Sequence, residues 1–131
     1  MLKAFRSFII FSFMLSLSVQ AAPLPTEVMY TVDSIQLPAG LTLDAVKRGV
    51  RKALFIKDWE MKEVSPGQIQ AQYKKGEKYM LAVDVKFDIK SVGIVYKDSV
   101  GLNYSNGEIH KTYNERIRDL EKMIRAELDA F

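Results

Sequence analysis

The feature that most constrains the fold is a change, made twice, in the spacing of the apolar residues along the chain. After Thr42 these residues recur at the spacing of a helix, from Trp59 they alternate with polar residues, and from His110 they return to helical spacing. Alternation with a period of two is typical of strands that bury one face. The sequence therefore predicts a helix, several strands and a second helix, in that order.

The first predicted helix begins after Thr42, a residue type that caps helix N-termini, and Asp44 lies in its first turn. Gly49, in its middle, costs a helix up to about 1 kcal/mol relative to alanine and is tolerated where a neighbouring element packs closely. The apolar side of this helix is formed by Val46, Val50, Ala53 and Leu54.

Four strands are predicted between the helices, at residues 59–64, 68–73, 79–87 and 91–97. Segments rich in turn-forming residues separate these alternating runs. Because the connections between successive strands are short, we expect an antiparallel meander.

The second predicted helix has the clearest amphipathic pattern in the chain, and such an apolar stripe must be covered by another layer. Two amphipathic helices and about four strands with one apolar face predict an α+β fold. We expect a two-layer sandwich with both helices on one face of the antiparallel sheet. The stripe consists of Tyr113, Ile117, Leu120, Ile124, Leu128 and Phe131.

Residues 1–22 have the composition of a cleaved signal peptide. Two basic residues precede a mostly apolar run at residues 8–17, and residues 19–21 form a small-x-small triplet that a signal peptidase accepts. The run is shorter than the ~20 residues that a transmembrane helix needs. We therefore expect cleavage after Ala21 or Ala22 and a periplasmic mature form without a transmembrane segment; secretion from the cell is the alternative.

Cleavage after Ala21 would leave 110 residues, from Ala22 to Phe131, which suit a single domain. We expect an extended N-terminal segment at residues 23–41 and one α+β domain at residues 42–131. The stretch 27–35 alternates like a strand, and the sequence leaves open whether it joins the sheet.

A near-neutral charge and the absence of cysteine narrow the function classes. Removal of the leader's two basic residues leaves 17 basic and 16 acidic residues, a net charge of +1, which gives no reason to expect nucleic acid as a partner. Without cysteine the chain has no disulfides and no thiol to carry a lipid. With a single histidine it also lacks the usual ligands of a structural zinc site. No motif indicates a cofactor.

The segment 98–114 is the most unusual part of the sequence. It is a long connection for so small a domain and is dense in hydrogen-bonding side chains, and such loops often bind ligands. Alternatively, its tyrosines pack beneath the loop while its polar side chains cap the loop's own backbone. The candidate residues for binding a ligand or partner are Ser99, Asn103, Tyr104, His110, Tyr113 and Asn114.

A second candidate surface is a basic patch on one side of the first helix. Such a patch could contact the phosphates of lipopolysaccharide or an acidic protein, or it could be an ordinary solvated helix face. The patch consists of Lys47, Arg48, Arg51 and Lys52.

Six short segments carry a family resemblance: Lys57-Asp58-Trp59, Ser65-Pro66-Gly67, Tyr96-Lys97-Asp98-Ser99, Leu102-Asn103-Tyr104, Ile109-His110 and Tyr113-Asn114. In this order they resemble a family of small, uncharacterised proteobacterial envelope proteins, many of which look like lipoproteins. The resemblance implies a compact α+β envelope domain and no established activity. The chain departs from the family pattern in lacking the lipid-bearing cysteine and in having Asp58 where glycine is expected.

The expected function is a non-enzymatic binding or interaction module of the periplasm. Its expected partner is an envelope protein, peptidoglycan or lipopolysaccharide. One alternative is a small hydrolase that uses His110 with Ser99 or Ser105, although the chain lacks the spacing and the strand-turn-helix signature of a catalytic triad. Another is a structural subunit that associates with itself.

Overall fold

The computed structural model describes residues 25–131. The predicted signal peptide and the first residues of the extended segment lie outside these described residues. The elements, in chain order, are β1 (Thr26–Val28), β2 (Val32–Gln36), α1 (Leu43–Ile56), β3 (Glu60–Ser65), β4 (Gln68–Lys75), β5 (Tyr79–Phe87), β6 (Ser91–Val100), β7 (Glu108–His110) and α2 (Lys111–Asp129).

Five strands form one antiparallel sheet in the order β2-β6-β5-β4-β3, and both helices lie on one face of it. The predicted two-layer α+β sandwich is therefore confirmed. The sheet has one strand more than the pattern predicted, because β2, from the stretch that the sequence left open, pairs with β6. The short strands β1 and β7 pair separately as a two-stranded ribbon.

Helix α1 has a defined cap at each end. At its start, the Thr42 hydroxyl accepts a hydrogen bond from the Ala45 amide at 3.1 Å, as the sequence predicted. At its end, the Trp59 amide donates to the Leu54 carbonyl at 2.9 Å and the Asp58 amide to the Phe55 carbonyl at 3.2 Å, which is a Schellman motif. Asp58 consequently has a φ of 63°, a left-handed conformation that favours glycine.

The hydrophobic core lies between the helices and the inner face of the sheet. Leu81, Val83 and Val85 of β5 are fully buried beneath the apolar stripes of the helices. The two helices approach closely at Gly49, where a Cβ atom would lie 2.5 Å from Cδ2 of Leu128. The neighbouring element that the sequence predicted to pack closely on Gly49 is therefore α2.

Phe131 does not belong to the apolar stripe of α2, contrary to the sequence prediction. The helix ends at Asp129, and Phe131, two residues beyond it, is 60% exposed. The buried stripe therefore ends at Leu128. The prediction for Phe131 was wrong because it continued the helical spacing beyond the end of α2.

The side chain of Asn114 fastens the N-terminal segment to α2. Its Oδ1 accepts a hydrogen bond from the Tyr30 amide at 2.8 Å, and its Nδ2 donates to the Val28 carbonyl at 3.0 Å and to Oε2 of Glu27 at 3.1 Å. The Tyr30 hydroxyl also donates to Oε2 of Glu121 at 2.6 Å, and this bond raises the pKa of Tyr30. The segment preceding α1 is thus held by side chains of the last helix.

The connection predicted at residues 98–109 is largely regular structure. Strand β6 continues to Val100, and a hairpin follows in which the backbone groups of Ser105 and Glu108 exchange two hydrogen bonds of 2.9 Å. Asn106 and Gly107 form the turn with φ values of 50° and 78°, the positive values of a type I′ turn. The Asn-Gly pair was a signal for this hairpin that the sequence analysis missed.

Candidate binding surfaces

Three of the six candidate residues gather around Tyr96 at one end of the sheet. Tyr104 stacks on Tyr96 with ring centroids 4.4 Å apart, and Tyr113 meets the same ring edge-on at 5.7 Å. The Ser99 hydroxyl lies 2.8 Å from the Tyr96 hydroxyl, at hydrogen-bond distance. Tyr113 is buried, which raises the pKa of its hydroxyl, whereas Tyr104 is 48% exposed. Tyr104 is therefore the aromatic residue of this cluster that a partner can reach.

The other three candidates have separate surroundings. Asn114 is 1% exposed and its amide makes the contacts to the N-terminal segment described above. Nδ1 of His110 accepts a hydrogen bond from the Thr112 amide at 3.1 Å and so caps α2. Asn103 is exposed and has a φ of 52°. The six side chains therefore do not meet in a single pocket.

The contacts of His110 do not assemble a catalytic pair. A nucleophile requires a base within about 3 Å of its hydroxyl. In residues 25–131, no hydrogen bond joins His110 to Ser99 or Ser105; the Ser99 hydroxyl pairs instead with Tyr96. The hydrolase alternative thus gains no support from this geometry.

The basic patch on α1 is partly neutralised by acidic neighbours. Among the described residues Arg51 alone of the four patch residues has no ion-pair partner. The hydrogen bond from Lys47 lowers the pKa of Glu63. Phe55, one helical turn after Arg51, is 76% exposed. The ion pairs are Lys47–Glu63, Arg48–Asp44 and Lys52–Glu127, with N–O distances of 2.8, 3.2 and 3.2 Å.

The sheet face opposite the helices, here called the open face, carries two shallow grooves at the two ends of the strands. Gln68, Gln70 and Gln72 project onto it from β4, as the alternation predicted. The first groove has a volume of about 390 Å³ and the second about 440 Å³. Both volumes lie in the range of small-ligand sites. The first is lined by Glu60, Lys62, Gln72, Ala82, Lys97 and Asp98 among others, and the second by Asp33, Gln68, Lys86, Asp88, Ser91 and Val95 among others.

Asp84 lies on the open face between the two grooves, opposite Gln70 of β4 and Val95 of β6. Its Oδ1 atom is shielded from solvent and has no hydrogen-bond partner among residues 25–131. A buried acceptor without a donor is destabilising, and such exceptions often mark functional positions. Asp84 alternates with the buried Val83 and Val85 along β5. The alternation along β5 predicts that the Asp84 side chain points away from the core. The shielding of its Oδ1 atom depends instead on residues of the two neighbouring strands, β4 and β6.

Two further features of residues 25–131 concern metal binding and membrane insertion. No cluster of three or more His, Asp or Glu side chains there could hold a metal ion. None of the helices in residues 25–131 combines the length and apolar composition required to cross a membrane.

Comparison with protein-family models and comparison with curated proteins both give no match for this chain.

Proposed function

We propose that this protein is a non-enzymatic binding or interaction module of the bacterial periplasm, and that the open face of the sheet is its contact surface. The observation that carries the proposal is Asp84, whose Oδ1 atom lacks a donor in the centre of a face with a groove on either side. A ligand that donates a hydrogen bond to this atom would remove its desolvation penalty.

The side chains of the open face suggest the chemistry of the partner. Glutamine amides both donate and accept hydrogen bonds, so the row of three on β4 matches peptide groups or sugar hydroxyls. Acidic and basic residues are interleaved in both grooves, for example Lys97 beside Asp98 in the first. A mixed surface of this kind favours an envelope protein or peptidoglycan over the phosphate-rich part of lipopolysaccharide.

The segment 98–114, the candidate region of the sequence analysis, adjoins this surface. Asp98 lines the first groove directly, and the next residue, Ser99, bonds to Tyr96 beneath the exposed ring of Tyr104. Tyr96 pairs opposite the buried Val83, so the Tyr96 ring and the Tyr104 ring stacked on it lie on the helix side of the sheet. Asp98 is the residue of this segment that we place at the contact surface. The buried Tyr113 and Asn114 then act as supports for the segment, not as contact residues.

The test is a photo-reactive amino acid placed in living cells at Gln70, on the open face, or at the control position Lys122, which is exposed on α2. We expect a crosslink at Gln70 and none at Lys122. A sharp shifted band would identify a protein partner, whereas a heterogeneous product that muramidase digestion collapses would identify peptidoglycan. The proposal fails if both positions react equally or neither reacts.

A blocking variant makes the test specific to the groove. Ala82 lines the first groove and is partly exposed, so Ala82→Arg should fill it and leave the core intact. The crosslink at Gln70 should then disappear while the amount of folded protein stays unchanged. An undiminished crosslink in this variant would show that the partner does not occupy the groove.

A further inference from the structure

We propose that the outer side of α1 is a docking surface for an anionic phospholipid bilayer. Arg48, Arg51, Lys52 and Phe55 follow one another at steps of three, one and three residues, so they lie along one face of the helix. Phe55 is 76% exposed and its neighbour Ile56 is 43% exposed. The apolar face of α1 is buried against the sheet, so a bilayer contact would use the cations for lipid phosphate and the single exposed ring for the headgroup boundary.

Charge complementarity favours lipid phosphate as the group that this surface contacts. Arg51 has no ion-pair partner among the described residues, and a guanidinium binds phosphate through two parallel hydrogen bonds. The pair between Arg48 and Asp44 joins side chains that are 67% and 75% exposed. Ion pairs this exposed are weak, so Arg48 can turn from Asp44 to a phosphate.

The acidic neighbours of the patch limit the strength of this contact. Asp44, Glu63 and Glu127 each pair with one of its cations. The surface therefore needs Phe55 as well as the charges, and we infer that its ring enters the boundary between headgroups and acyl chains. A surface that combines a few cations with one aromatic ring binds reversibly, in the manner of a peripheral contact.

The lipid contact is compatible with the proposed function because of the position of α1. It does not depend on that function. Both helices cover the face of the sheet that is opposite the grooves. A protein docked through α1 would therefore present its open face away from the bilayer. Binding to lipid can be measured with no knowledge of the partner of the open face.

The test uses residues 23–131, the mature form expected after cleavage of the predicted leader. Sedimentation is measured with vesicles of equal parts phosphatidylglycerol and phosphatidylcholine, and with vesicles of phosphatidylcholine alone. We expect binding to the anionic vesicles only, and loss of that binding in 0.5 M salt, roughly the regime in which exposed charges are screened within a few ångströms. Equal binding to both vesicles, or binding to neither, would overturn the proposal.

Matched variants locate the surface. Arg51→Gln should weaken binding about fivefold, the usual effect of one basic residue near an anionic surface. Phe55→Ser should weaken it about tenfold because an exposed ring no longer enters the interface. The controls are Lys78→Gln, in the exposed turn between β4 and β5, and Val28→Ser, at a position 77% exposed on β1, which should bind as the parent does.

Two further results would contradict the lipid assignment. Controls that weaken binding as much as the α1 variants would mean that overall charge, not this surface, attracts the protein. Binding to soluble polyglutamate that matches the binding to vesicles, and that Phe55→Ser leaves unchanged, would assign the patch to acidic proteins instead. Circular dichroism of each variant confirms that the fold is retained.

Discussion

The two faces of the five-stranded sheet share one backbone and have opposite surroundings. Beneath the helices, Leu81, Val83 and Val85 of β5 are fully buried. The alternate residues of the same strand, Ala82 and Asp84, face the open side and remain partly exposed. The residue types on the helix side are those that a packed core requires. The polar residue types on the open side are not required for packing, so they are free to serve a contact with a partner.

The same contrast holds for the polar groups that each side shields from solvent. On the helix side, Asn114 is buried and its amide has three hydrogen-bond partners. On the open side, Oδ1 of Asp84 is shielded and has none among residues 25–131. Satisfied buried polar groups stabilise a unique fold, while an unsatisfied one destabilises it.

The largest expected effect comes from placing one substitution on each face at adjacent residues. Val83→Arg puts a charge into the core and should remove at least about 4 kcal/mol of stability, so that the protein does not fold. Ala82→Arg puts the same side chain on the open face and should change stability by less than about 1 kcal/mol. Circular dichroism shows whether Val83→Arg folds, and urea unfolding followed by Trp59 fluorescence measures the stability of Ala82→Arg. Similar losses in the two variants would show that the open face is part of the core.

The second expected effect tests the satisfied polar group on the helix side. Asn114→Ala leaves the Tyr30 amide and the Val28 carbonyl without their partner and should cost about 2–4 kcal/mol. Hydrogen exchange should accelerate at the Tyr30 amide, which donates to Asn114 at 2.8 Å. The control Gln72→Ala, on the open face, should change stability by less than about 0.5 kcal/mol. A Tyr30 amide that stays protected would mean that other contacts hold the N-terminal segment.

The third expected effect concerns the close packing of the helix layer. A Cβ on Gly49 would lie 2.5 Å from Cδ2 and 3.2 Å from Cγ of Leu128, so Gly49→Ala overpacks the junction of the helices. Overpacking costs about 1–3 kcal/mol, partly offset by the higher helix propensity of alanine, which leaves a net loss of about 1–2 kcal/mol. The same substitution in a Leu128→Ala background should be neutral or stabilising. Equal losses in both backgrounds would exclude this contact as the cause.

The fold was largely predictable because its signals are local. Hydrophobic period alone located both helices and four strands of the sheet, and residue type identified Thr42 as a cap. The fifth strand, β2, was left open, and the alternation seen at residues 27–35 does not describe it, because its buried residues Val32 and Ile35 are three apart. The pairing of β2 with β6 shifts register between these two residues. This irregularity interrupts the alternation of buried and exposed residues along β2.

The candidate site was less predictable because its properties arise from contacts between distant residues. The sequence put Asn114 among the binding candidates, but its amide is used by Tyr30, 84 residues away along the chain. Conversely, alternation gave the outward direction of Asp84 and could not reveal that Gln70 and Val95 flank it. Polar residue type alone does not distinguish a structural side chain from one available to a partner.

The smallest expected effect has the opposite sign and tests the open face most directly. Asp84→Thr removes an acceptor that lacks a donor and places a β-branched residue in a strand, so stability should rise by about 0.5–1 kcal/mol. The crosslink expected at Gln70 should weaken in the same variant, since stability gained at a binding position is commonly accompanied by lost function.

Asp88, in the turn between β5 and β6, provides the control for this prediction because it is a carboxylate with its donors in place. Its Oδ1 accepts from the amides of Lys90 and Ser91 at 2.8 Å each, and the first of these bonds is the main cause of its lowered pKa. Asp88→Thr should therefore lose stability at neutral pH, and the loss should vanish as acid protonates the carboxylate of the parent. If Asp84→Thr also lost stability, the shielded oxygen of Asp84 would have a stabilising partner, and the argument that the open face is kept for binding would fail.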